Sequence, residues 1–250
     1  MNLIGHYVCA SHTPLDVRLG SVLPDLVSIY RRKVRVRWLT RHWEDSNGTA
    51  DAHEGLLAGI SFHHRVDSHF HQASFFKFAS GGIHEALLAA SATPGLKRFL
   101  PAHVLSELFF DHLLIALEPD LPGRFNADLS RGGAALAAFV GVHPLAEEAS
   151  FRKFLQRLEA FRVVEDYREL EGIIFRMNRI LVQLSQRPLE SGEERAVTGF
   201  LTENAVSLEA QLTAFAASMK DGFILSPKIA GEQAAPEQDA PAGAPAPQPA

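Results

Sequence analysis

Apolar positions recur at helical spacing along most of this chain. LLAGISFHHRVDSHF (56–70), PAHVLSELFFDHLLIAL (101–117) and FRKFLQRLEAFRVVEDYRELEGIIFRMNRILVQL (151–184) each repeat apolar residues every three or four positions. Only the short VRVRWLT at 34–40 alternates, which predicts a loop or hairpin there. Asn47-Gly48, Gly81-Gly82, Pro94-Gly95, Pro119, Pro122-Gly123, Gly132-Gly133 and Pro144 are predicted to break the helices. At ordinary helix lengths these breaks leave roughly seven to nine helices. Pro101 is placed to open one of them in its first turn. Ser191 with Glu194 has the spacing of a capping box at the start of the last long helix.

The fold class is therefore all-α: a single compact multi-helix domain over residues 1–226. The Ala/Pro/Gln-rich tail at 227–250 has almost nothing to bury, and it is predicted to be disordered. A length of 250 residues with 46% hydrophobic content is enough for one sizeable core. The formal net charge of -5 argues against a protein that coats nucleic acid. Cys9 is the only cysteine, so neither an intrachain disulfide nor a metal site built on several thiolates is possible. No apolar run approaches the ~20 residues that span a bilayer, and MNLIGHYVCASHT does not read as a signal peptide. A reducing, cytoplasmic setting is the expectation.

Polar residues inside the apolar helices change this bland picture. GISFHHRVDSHFHQ at 59–72 packs four histidines, an Arg and an Asp into fourteen positions. His63 and Asp67 are four apart, and so are Glu107 and Asp111. Each pair shares a helix face. Two acids on one apolar face repel, and a divalent cation relieves that directly. His6 in NLIGHYV, Asp25 in SVLPDLV and His112 beside Asp111 interrupt similar apolar runs. Imidazoles and carboxylates without thiolates suit Mn²⁺, Fe²⁺, Mg²⁺ or an open zinc site. Each also has an ordinary reading, as a hydrogen-bonded core histidine or a surface pair. His64, His69, His71, His84 and His103 are read as surface or supporting residues. Six basic residues, Arg31, Arg32, Lys33, Arg35, Arg37 and Arg41, fall within eleven positions. They are either a solvated surface or a docking patch for an acidic partner.

MNLIGHYVCA, GSVLPDLV, GISFHHRVD and LFFDHLL, in that order, resemble segments of bacterial acyl-carrier-protein phosphodiesterases. Those enzymes are relatives of the His-Asp metal-dependent phosphohydrolases. The resemblance covers about the first 117 residues. It implies an all-helical, divalent-metal-dependent hydrolase, typically with Mn²⁺, that removes 4′-phosphopantetheine from holo-acyl carrier protein. On it, His6, His63, Asp67 and Asp111 are the expected metal ligands, with Asp25 and Glu107 as further ligands or anchors. Glu107 stands where the family has an Asp. Arg65 is the expected phosphate fork and His112 the expected proton donor to the leaving serine. Arg31, Arg32, Lys33, Arg35 and Arg37 would then meet the acidic carrier protein. Two other readings stay open. One is a metal-dependent phosphohydrolase of nucleotides or other small phosphoesters; the other is a non-catalytic helical binding protein with a vestigial site.

Overall fold

The structure, a computed structural model, describes residues 3–31, 33–45, 53–91 and 99–224. The predicted tail at 227–250, the predicted breaks at Asn47-Gly48 and Pro94-Gly95, and Arg32 lie outside the described residues. Within them the chain is all-α, with ten α-helices and no strand. In order these are α1 Leu3–Cys9, α2 Leu15–Tyr30, α3 Val36–Asp45, α4 Glu54–Gln72, α5 Ser74–Ala90, α6 Phe99–Leu117, α7 Leu121–Gly141, α8 Glu148–Ala160, α9 Leu170–Gln183 and α10 Ser191–Ile224. A 3-10 turn, Val163–Arg168, joins α8 to α9. Arg162 at its start takes a left-handed conformation (φ 46°), which ends the helical run that the sequence carries through this region.

Helix α6 lies at the centre, packed by α1, α5, α9 and α10. Most of its length is buried on all sides. By length and composition it is apolar enough to cross a membrane, contrary to the expectation that no such run exists. Its apolar surface is consumed by the protein core, and that core accommodates Glu107 and Asp111. Phe70, Phe75, Phe110 and Phe215 pack edge to face, with Phe76 tilted against Phe70, joining α4, α5, α6 and α10.

The closest helix pairing is α2 against α4, and glycine makes it possible. A Cβ at Gly20 would stand 2.3 Å from the Leu56 carbonyl oxygen, and one at Gly59 would stand 2.2 Å from that of Val17. The two backbones therefore touch at Gly20 and Gly59. His63 follows Gly59 by one turn on the same face, so this contact delivers it to α2.

Three local expectations need correction. VRVRWLT is not a hairpin: α3 runs from Val36 to Asp45, with Leu39 buried and Trp38 and Trp43 packed on the core. The spacing from Leu39 to Trp43 is helical and outweighs the short alternation before it. Gly81-Gly82 and Gly132-Gly133 do not break helices but sit inside α5 and α7. Gly82 lets Phe200 of α10 approach, and Gly132 does the same for Leu19 of α2. At the start of α10 the cap is shifted by one residue. The Glu190 N–H donates to Glu193 Oε2 at 2.8 Å, while Glu194 accepts from the Asn178 amide instead.

Candidate metal centre

Each ligand candidate is placed by a separate, identifiable contact. Helix α1 carries His6 and is anchored at its start by Asp111 of α6. The carboxylate accepts the Gly5 N–H at 2.8 Å and the Ile4 N–H at 3.2 Å. These N–H groups belong to the first turn, where the helix itself offers no acceptor. Asp111 is fully buried, and burial pushes its carboxyl up to about 7 against the pull of the two N–H groups. Its oxygens are committed to α1, so it positions His6 rather than joining the group around it.

Helix α2 carries Asp25, immediately after Pro24. A proline inside a helix has no N–H to give and loosens the carbonyls one turn back. The Ser21 carbonyl lies in that loosened turn, and it accepts the Nδ1–H of His63 at 2.8 Å. His63 is thereby held through Nδ1, which leaves Nε2 as its ligand atom. Burial and the neighbouring His6 push its imidazole down to about 4, so it is neutral at physiological pH. Neutral imidazole is the form that binds a metal.

His6 is held in the same manner. Its Nδ1 lies 3.2 Å from Asp25 Oδ2, and its Nε2 faces Asp67 Oδ1 at 4.0 Å. The His6 and His63 rings stack with centroids 3.9 Å apart. One ligand atom from each of His6, His63 and Asp67 falls within 4.8 Å of the other two. Donors bonded to one cation at ~2.0–2.2 Å stand roughly 3–4 Å apart, so a small closure completes the site. Burial raises the Asp25 carboxyl, yet the two imidazoles hold it below the usual carboxylate range. Asp25 Oδ2 is buried with His6 Nδ1 3.2 Å away, so its part is to hold that ring from behind. The donor set therefore fits a divalent metal, with two imidazoles, one carboxylate and a buried carboxylate behind them. Asp67 is 40% exposed, so this face is open to solvent.

The remaining candidates lie elsewhere. Glu107 belongs to a neighbouring group, with His71 and His103 at 3.1 Å from its Oε1. His112 binds the Tyr167 carbonyl through Nδ1 at 2.9 Å, which ties it to the 3-10 turn. Arg65 is two residues beyond His63 on α4, roughly 200° around the helix, and its guanidinium rests on the Phe62 ring. The structure does not bring Arg65 to the His6 group. Arg31 donates to the Leu145 carbonyl at 2.6 Å, and Lys33, Arg35, Arg37 and Arg41 are exposed. Arg35 lines a groove of about 420 Å³ together with Pro24, the neighbour of Asp25.

From the sequence, His64, His71 and His103 read as surface or supporting residues, but the structure sets each beside the candidate ligands. His64 packs edge-on to His63 and feels the charges of Asp67, His6 and Asp25. Its place beside His63 was the available signal. For the other two the signal was spacing: Asp67 to His71 and His103 to Glu107 are each four residues.

No protein-family model, no curated protein and no solved structure matches this chain.

Proposed function

We propose that the protein is a metal-dependent phosphodiesterase that removes 4′-phosphopantetheine from holo-acyl carrier protein by hydrolysis. The observation that carries this reading is the convergence of His6, His63 and Asp67 from two helices, with Asp25 behind them. His6, His63 and Asp67 would hold a divalent cation, Mn²⁺ for preference, which would supply a water nucleophile at neutral pH and neutralise charge on a phosphoryl oxygen. The chain's own residues prepare the place. Asp25 and the Ser21 carbonyl hold the two imidazoles by Nδ1 and leave each Nε2 outward, so only a small closure separates this arrangement from a coordinating one. The Asp67 carboxylate stands at the solvent side, where a large phosphoester enters. The ordered resemblance to the carrier-protein phosphodiesterases supports the substrate. So does the exposed basic run, whose Arg35 shares a groove with the residue next to Asp25.

The test is a mass measurement. Holo-acyl carrier protein is incubated with the purified chain and Mn²⁺, with and without chelator. The expected outcome is loss of the phosphopantetheine mass only without chelator, and no loss with His63→Ala. An unchanged carrier mass in both arms, alongside turnover of a small synthetic phosphodiester, points to the phosphoester reading instead.

A further inference from the structure

A second set of donor atoms stands one helical turn from the first. His71 follows Asp67 by four residues on α4, and His103 precedes Glu107 by four on α6. The Nε2 atoms of His71 and His103 each lie 3.1 Å from the same oxygen, Glu107 Oε1. One ligand atom from each of the three residues is within 4.8 Å of the other two. Bonds of ~2.0–2.2 Å to two atoms 3.1 Å apart subtend roughly 90–100°, an angle that tetrahedral and octahedral sites both tolerate. Glu107 is buried, while the side chains of His71 and His103 are 29% and 30% exposed. The carboxylate is thus fixed and the imidazoles face a path from solvent. Both rings pack edge-on against Phe76, which sets their planes.

The supporting contact comes from the first site. Asp67 Oδ2 lies 3.4 Å from His71 Nδ1, while its Oδ1 faces His6. Glu107 accepts the Nε2 proton of His71 as the chain stands; a metal would displace that proton while Asp67 kept the one on Nδ1, the usual support for a metal-bound histidine. We infer that His71, His103 and Glu107 form a second divalent transition-metal site, linked to the first through the two oxygens of Asp67. Two imidazoles and one carboxylate with open positions suit Zn²⁺, and also Mn²⁺ or Co²⁺. The second site stands on its own geometry and does not depend on the hydrolase reading. Only the link through Asp67 rests on the first group binding metal.

Metal counting on the full chain tests this. The protein is dialysed against Zn²⁺ or Co²⁺ and bound metal is measured by elemental analysis, with Co²⁺ absorption as a second readout. The expected stoichiometry is two per chain. It should fall to one in His103→Ala, whose partly exposed side chain can be removed without opening the core, and to one in His63→Ala. Glu107→Gln should match His103→Ala, and circular dichroism identifies any variant that is unfolded. Asp67→Asn should lose the first ion and weaken the second about 10-fold. If His103→Ala binds as many ions as the parent, the second site is overturned while the first stands. If the parent binds one ion that His103→Ala loses and His63→Ala keeps, the second site stands and the first reading fails. A parent that binds none overturns both.

Discussion

Asp111 Oδ1 accepts the Gly5 N–H at 2.8 Å, joining residues 106 apart in the chain and setting His6, the next residue, over its site. This carboxylate caps a helix that is not its own. It replaces a local N-cap with a tertiary contact, so the position of a ligand and the stability of the core are the same interaction.

Removing it should therefore cost both. Asp111→Ala leaves two buried N–H groups without an acceptor, and the expected loss is about 3 kcal/mol of unfolding free energy. Asp111→Asn keeps one acceptor oxygen and should recover part of that. Denaturant titration checks it, and a loss below about 1 kcal/mol contradicts the capping role.

Metal should stabilise the fold, because only the folded chain brings His6, His63 and Asp67 together. Mn²⁺ at about 100 times its Kd is expected to add about 2.7 kcal/mol, reversed by chelator. Thermal or denaturant unfolding with and without the ion measures the gain. His63→Ala should lose the share of the gain that comes from this site. Arg65→Ala should keep it, since Arg65 points around the far side of α4.

Gly59→Ala sets two effects against each other. Helix propensity gains about 1 kcal/mol. The new Cβ, 2.2 Å from the Val17 carbonyl oxygen, meets backbone that cannot step aside, and overpacking of this kind costs up to about 3 kcal/mol. The expected net loss is about 2 kcal/mol with weaker metal binding. Gly81→Ala, with open space around its site, should be neutral or mildly stabilising.

Glu193 supplies a pH test away from the metal residues. The Arg187 guanidinium grips its carboxylate with two bonds, at 2.7 and 2.8 Å, and holds its pKa down to about 2 from 4.5. A carboxyl depressed by folding contributes stability above its unfolded pKa and loses it as pH falls through the folded one. The parent should exceed Glu193→Gln by about 2–3 kcal/mol at pH 7, and the gap should close between about pH 4.5 and 2. A gap that stays constant across that window contradicts the pairing.

Charge reversal at Arg35 and Arg37 tests the docking strip. For holo-acyl carrier protein, kcat/KM is expected to fall about 10-fold at low salt, with the difference shrinking as salt rises. An unchanged value at low salt removes the strip from recognition.

Periodicity made the all-α fold legible, because apolar residues every three or four positions line up on one face only when the backbone is helical. It failed at α3, where Val34, Val36 and Trp38 alternate over a stretch too short to outweigh the helical step from Leu39 to Trp43. His6, Asp25, His63 and Asp67 were legible as polar interruptions of apolar faces. Their meeting point was not, because it is set by a backbone contact between Gly20 and Gly59 that no spacing rule encodes. Glu107 and Asp111 share a face of α6, and that suggested one shared role. The sequence could not show that a different helix arrives at each: α1 beside Asp111, and α4 with His71 beside Glu107.

The touching glycines also act as a fulcrum. His63 lies about 6 Å along α4 from the pivot at Gly59, so a tilt of about 10° between the two rods carries its ring roughly 1 Å. That travel is larger than the difference in radius between small divalent ions. Metal preference at the proposed site would thus depend on how two helices lean on each other as much as on the side chains that would hold the ion.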